Sequence, residues 1–316
     1  MEAEKPRYEK PWDEPRVLPR GDVGFVLENQ HIRVVLSPVS LKLTSLIDKS
    51  SGEELLSAGA GFRLVRETED WMSSWVVGDY AGIDDLNDSC DVHVTQTNFE
   101  GEIQWISYEI KFGRSLLHAK FSLTKESRTL RISLETDFQE LGGNGQVPQL
   151  QLYVPYAYRP TAIRCDVPGG FLDRTELAHD IPAIRYLCPL PQEGSAIMFT
   201  SDCKYGYRAW ENSVIVDLLR ASTIPDKYPE QGVHQIEIGL TPTTDVAPEL
   251  LSQIGTEFAH PLYPYSNSLH TGSLRSLVSV ISRLPLPSPL ILLCLLDELS
   301  IPKWNEQVLF QPHIRS

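Results

Sequence analysis

The sequence predicts an all-β protein, a large antiparallel β-sandwich with one short helix near its C-terminal end. Three observations lead there. Residues 91–97, 103–112, 116–123 and 128–136 each alternate polar and apolar side chains. In RTLRISLET, for example, Leu130, Ile132 and Leu134 point one way while Arg131, Ser133 and Glu135 point the other, the pattern of strands with one buried and one wet face. Short β-prone segments recur along the chain with turn signals between them, as in sandwiches and barrels. The helical pattern is confined to residues 246–259, VAPELLSQIGTEFA.

Taken in order, residues 1–22 are charged and proline-punctuated and read as a linker or arm. A linker placed there leads one to expect a preceding domain. Residues 23–245 form the large sandwich. It begins with VGFVL (23–27), HIRVVL (31–36) and LKLTSLI (41–47), followed by a turn at DKSSG (48–52). WMSSWVVGDY (71–80) is aromatic and leads into an acidic turn. There Asp84, Asp85 and Asp88 could be imagined as calcium ligands, but the alternating Asp/Asn spacing and closing Glu of a calcium loop are missing, so a solvated turn is expected. KES (125–127) is a hairpin turn, and LGGNGQ (141–146) a flexible loop without phosphate-cradle context.

In CDVPGGFLDRTELAHDIP (165–182), Pro168, Gly169 and Gly170 force a turn before a polar stretch holding Asp173, Arg174, Glu176, His179 and Asp180. His179 with Asp180 could form a general base and its orienting partner, or a metal-ligand pair. Adjacent strand residues face opposite sides, however, and no nucleophile motif is present. A loop-internal cluster of ion pairs and hydrogen bonds competes with that reading. In the helix, Asp245 is placed as N-cap with Pro248 and Glu249 in the first turn, and Leu250, Leu251, Ile254 and Phe258 share a face. Residues 246–282 are read as this helix and the start of a further β segment. Residues 283–316 are proline-broken and read as a divergent or truncated tail.

Composition sets the outer limits. The chain has 316 residues, 41% apolar and 22% charged, as in ordinary globular proteins. A net charge of −14 argues against a nucleic-acid or anionic-membrane partner. Five widely spaced cysteines without a CxxC pair fit neither a zinc framework nor a disulfide scaffold, which points to a reducing cytoplasm. The one strongly apolar run, LILLCLL (290–296), falls far short of the roughly 20 residues of a membrane span. The expectation is a soluble, cytoplasmic protein.

The stretch with the greatest polar and aromatic load is residues 203–240. It reads as two strands, SVIVDLL (213–219) and VHQIEIGL (233–240), around a long loop with Arg220, Asp226, Tyr228 and His234 in or beside it. Long polar loops on a β scaffold carry binding chemistry in many proteins. A plain crossover between two sheets is the alternative.

Several ordered motifs carry a resemblance: NQHIRVVLSPVSLKLTSLIDKSSGEELL, then VPGGFLDRTELAHDIPAIRY, KYGYRAWENSVIVDLLRAS and PDKYPEQGVHQIEIGL. Their succession, over about residues 25–270, resembles the C-terminal β-domains of bacterial-type α-mannosidases of glycoside hydrolase family 38. The resemblance implies a supersandwich of the galactose-mutarotase type and an origin in enzymes that remove terminal α-linked mannose with retention. It places the aspartate nucleophile, the acid/base carboxylate and an H-x-D zinc site in an N-terminal α/β barrel, and none of these motifs is seen in this chain. The implied protein is the non-catalytic β-sandwich part, inactive alone, without catalytic or metal-binding residues of its own. Its partners would be the catalytic barrel, which holds the zinc, and a mannose-containing glycan. On matching motif positions, the candidate substrate-binding residues are Tyr205, Tyr207, Arg220, Asp226 and His234, with Gly232 beside them. A stand-alone carbohydrate-binding or interaction module is the other expectation.

Overall fold

The computed structural model describes residues 24–261. The chain opens with β1 (Phe25–Glu28), β2 (Ile32–Leu36), β3 (Leu43–Asp48) and β4 (Glu53–Glu54), which form a small antiparallel sheet in that order. There follow β5 (Gly61–Thr68), β6 (Tyr80–Asp85), the single-turn helix α1 (Leu86–Ser89), β7 (Val92–Asn98), β8 (Ile103–Phe112), β9 (Ser115–Thr124) and β10 (Leu130–Phe138). Next come β11 (Gln146–Pro155), β12 (Pro160–Val167), β13 (Gly170–Arg174), β14 (Leu177–Pro182), β15 (Tyr186–Pro191) and β16 (Ala196–Ser201). The last elements are β17 (Gly206–Trp210), β18 (Ser213–Arg220), β19 (Gly232–Thr243) and helix α2 (Pro248–Ala259).

Two larger antiparallel sheets share one core. The nine-stranded sheet runs β13-β12-β15-β16-β19-β10-β9-β8-β7 and the six-stranded sheet β14-β17-β18-β11-β5-β6. Strands β8, β9 and β10 bury every second residue, as their alternation predicts: Leu130, Ile132 and Leu134 are all nearly inaccessible. Their apolar faces merge with Phe62, Leu64, Leu150, Leu152, Val214 and Val216 of the six-stranded sheet in a single hydrophobic cluster. Each such Leu, Val or Phe side chain contributes about 1.5–3 kcal/mol by leaving water.

A second cluster lies on the other face of the nine-stranded sheet. There Leu251 of α2 packs on Tyr186, Cys188 and Met198. Gly239 of β19 permits this close approach, since a Cβ there would stand 2.8 Å from the ring of Phe258. The helix starts later than its pattern predicts, with Ala247 at the N-cap position and Pro248 in the first turn. Pro248 has no N–H to donate, so Asp245 instead turns the preceding chain by accepting the Ala247 N–H at 2.9 Å. Among the described residues no helix is long and apolar enough to cross a membrane.

The polar stretch expected as a loop between residues 173 and 180 is strand over most of its length, in β13 and β14. Its charges pair with other strands rather than internally. Arg164 forks onto Asp173 at 2.7 Å twice, Arg208 donates to Asp180 at 2.7 Å, and Tyr156 donates to Glu176 at 3.2 Å.

Candidate functional site

The loop 221–231 crosses between sheets, because β18 belongs to the six-stranded sheet and β19 to the nine-stranded one. Crossing is only part of what it does. At its start, Arg220 lies opposite Gln149 on the outer face of the six-stranded sheet, beside Glu67. The guanidinium donates through Nε to Glu67 Oε1 at 2.8 Å and through Nη2 to Oε2 at 2.7 Å. Its remaining donors reach the carbonyls of Ser73 and, at 3.0 Å, Val76. Glu67 has 0% exposure, so this is a bidentate pair with a buried carboxylate, the geometry that suits arginine.

The same residues tie loop 69–79 to loop 221–231. Ser73 Oγ accepts the N–H groups of Thr223 and Ile224 at 2.9 and 3.0 Å, and Ser74 N–H donates to the Ile224 carbonyl at 2.9 Å. Gly78 N–H donates to Glu67 Oε2 at 3.1 Å. A Cβ on Gly78 would stand 1.9 Å from the Thr68 carbonyl oxygen, backbone that cannot step aside. Gly78→Ala is therefore expected to cost about 2 kcal/mol through a forced backbone shift, read as a lower urea midpoint. An unchanged midpoint would show that loop 69–79 is not held as described.

The joined loops present aromatic groups to solvent. Trp71 is 76% exposed, Trp75 68% and Tyr228 61%, with Ile224 beside them. Such rings on a pinned scaffold can stack on sugar faces or seat an apolar partner surface. Of the residues named from the sequence, Tyr205 is exposed just before β17. Asp226 is exposed and accepts the Tyr228 N–H at 2.9 Å. His234 Nε2 lies 2.9 Å from the Glu230 carbonyl, while the Glu230 carboxylate accepts the Arg220 N–H. Gly232 opens β19 at φ 131°, which favours glycine. Tyr207 is different: it has 0% exposure, lies in the core and donates its hydroxyl to the Lys204 carbonyl at 3.2 Å.

A buried polar network continues across the same sheet face. A β-bulge between Leu150 and Gln151 sets Gln151 opposite Asp217 on one side and Arg63 on the other. Gln151 Nε2 donates to the Tyr80 hydroxyl at 2.7 Å and to Asp217 Oδ1 at 3.1 Å. Arg208 lies over the Tyr80 ring at 4.2 Å and donates to Asp180. Burial raises the Asp217 carboxyl to about 8, helped by the charges of Asp180 and Glu67 and opposed by Arg208 and Gln151. Sequence reasoning missed Glu67, Ser73, Tyr80, Gln151, Arg208 and Asp217. For Glu67, Gln151 and Asp217 the advance signal is polarity at positions inside otherwise apolar strands.

Neither metal reading finds a site. Lys42 Nζ lies 2.6 Å from both Asp85 and Asp88, and Arg66 forks onto Asp84, so every acidic residue of the turn is already paired with a protein cation. His179 is exposed while Asp180 points to Arg208, the opposite facing that adjacent strand residues adopt. Among the described residues no group of three His, Cys, Asp or Glu is placed to hold a metal ion.

Comparison with known proteins gives two results. Residues 27–228 match the family model described as the glycosyl hydrolases family 38 C-terminal domain. Among solved structures, the chain is similar to an alpha-mannosidase from Enterococcus faecalis V583, with TM-score 0.64 and 12% identity over 79% of this chain and 32% of that one. It is also similar to a protein in glycosyl hydrolase family 38 from Enterococcus faecalis, again with TM-score 0.64 and 12% identity, over 83% of this chain and 35% of that one. At this identity the two structures speak for the fold. The chain spans about a third of their length. No curated protein matches the sequence.

Proposed function

Because the chain belongs to the glycosyl hydrolases family 38 C-terminal domain family, we propose that it forms the non-catalytic β-sandwich part of an α-mannosidase that removes terminal α-linked mannose with retention. In this reading it packs against the catalytic barrel, which holds the zinc, and it has no activity alone. The observation that carries the reading is the pinned aromatic platform of Trp71, Trp75 and Tyr228. The platform faces the barrel near its sugar cleft and adds contacts to a mannose-containing glycan. Tyr205 and Asp226 lie within the contact zone, Arg220 and His234 hold the loop in position, and Tyr207 packs the sandwich beneath. The four described cysteines are free thiols, which fits a reducing compartment.

The test is hydrolysis of an aryl α-mannoside by the purified chain, with and without zinc. No turnover is expected in either case, and zinc-dependent turnover by the chain alone would overturn the proposal. With the catalytic barrel supplied, Trp75→Ala is expected to lower kcat/KM about tenfold while leaving the urea midpoint unchanged, a loss of about 1.4 kcal/mol of transition-state stabilisation. The exposed platform also fits a stand-alone carbohydrate-binding module. Mannose binding without the barrel, abolished by Tyr228→Ala, would favour that second reading.

A further inference from the structure

On the solvent side of the nine-stranded sheet, we infer that the chain carries a separate site for one neutral sugar ring or a similar polyol. The register builds it. Ser107, Lys120, Ser133 and Glu237 stand side by side across β8, β9, β10 and β19. Two residues further along, Glu109, His118, Glu135 and Gln235 form the next row. Side chains in each row lie within reach of one another and of their diagonal neighbours.

These rows floor a cavity of about 470 Å³, within the roughly 300–1,000 Å³ of small-molecule pockets. Lys120 and Glu135 reach into solvent along this floor, and Glu109 is its more sheltered charge. The Glu109 side chain is only 17% exposed although it points away from the core, and it pairs with His118 Nδ1 at 3.2 Å. Arg131, two residues before Ser133 and so next to the first row, lies over the Phe258 ring of α2 at 4.4 Å and borders the groove on the helix side.

The charges select the ligand class. Glu237 is already engaged by Arg131 at 3.1 Å and Ser133 at 2.9 Å. Two groups remain under-used. Lys120 has no carboxylate or carbonyl partner among the described residues, and its ammonium lies 4.4 Å from the centre of the Trp105 ring. Glu135 receives only a long 3.4 Å bond from Gln235. They sit diagonally on neighbouring strands, one offering donors and the other acceptors. A hydroxyl-rich neutral ligand satisfies both, since each hydroxyl donates and accepts. An anion would meet Glu135 and Glu237, and a cation would meet Lys120 and Arg131.

Titration of the full chain with methyl α-mannoside, glucuronate and glucosamine, followed by calorimetry and tryptophan emission, tests this. Methyl α-mannoside is expected to bind with a Kd of about 1 mM and to alter the emission of Trp105 as Lys120 leaves its ring. Lys120→Met and Glu135→Gln, both solvent-facing, should each weaken binding at least tenfold with urea midpoints unchanged. Trp75→Ala should leave this binding intact, which separates the site from the loop platform. The inference is overturned if the wild-type chain binds no methyl α-mannoside. It is also overturned if the two variants bind like wild type, if Trp75→Ala alone removes binding, or if either charged sugar binds more tightly.

Discussion

Arg220→Ala is expected to destabilise the chain by about 3–5 kcal/mol, the cost of leaving a buried charge without its partner. Glu67 has 0% exposure, and without Arg220 its carboxylate keeps only the Gly78 N–H at 3.1 Å. The Ser73 and Val76 carbonyls lose a donor in the same step. Urea unfolding measures the loss, and acrylamide quenching of Trp71 and Trp75 measures whether the two loops separate. Arg220→Lys should fall between wild type and alanine, because it keeps the charge and loses the two-pronged geometry. The double variant Glu67→Leu/Arg220→Met should recover most of the stability, since replacing both members of a buried pair is often neutral. If Arg220→Ala unfolds within 1 kcal/mol of wild type, the clamp is not what holds the loops.

This clamp also shows where the sequence could be read and where it could not. The strand alternation was legible because period two is a local property, and RTLRISLET buries the three residues it marks. β13 and β14 were read as loop because they are short, exposed and charged, and their partners are distant strands. The load of residues 203–240 was visible, but its meaning depends on Glu67, 153 residues away from Arg220. Tyr205 and Tyr207 looked alike at the same period. They differ because β17 begins only at Gly206, so the strand turns Tyr207 into the core and leaves Tyr205 outside. Polar residues within apolar strands, such as Asp217 in SVIVDLL, were the overlooked marks of the network.

Asp217 itself gives a sharp pH dependence. Its carboxyl is raised from 3.8 to about 8 by burial first, then by the negative charge of Asp180. The folded chain therefore keeps a proton that the unfolded chain releases as pH climbs above 3.8. Protons bound in the unfolded state are fewer across this window, so stability falls as pH rises from about 4 to about 8 and this contribution levels off above it. Asp217→Asn holds a neutral acceptor for Gln151 at every pH. It should match wild type near pH 4 and exceed it by several kcal/mol at pH 8, with the gap levelling off at higher pH. Urea midpoints of both proteins between about pH 4 and 9 measure it, since titrating groups remote from Asp217 cancel in the difference. A gap that does not change with pH would mean that Asp217 is ionised within the fold, leaving Arg208 as the counter-ion of two carboxylates. A gap that opens as stated means that Arg208 is matched to Asp180 alone, and that a single proton on Asp217 keeps a second buried carboxylate from competing for it.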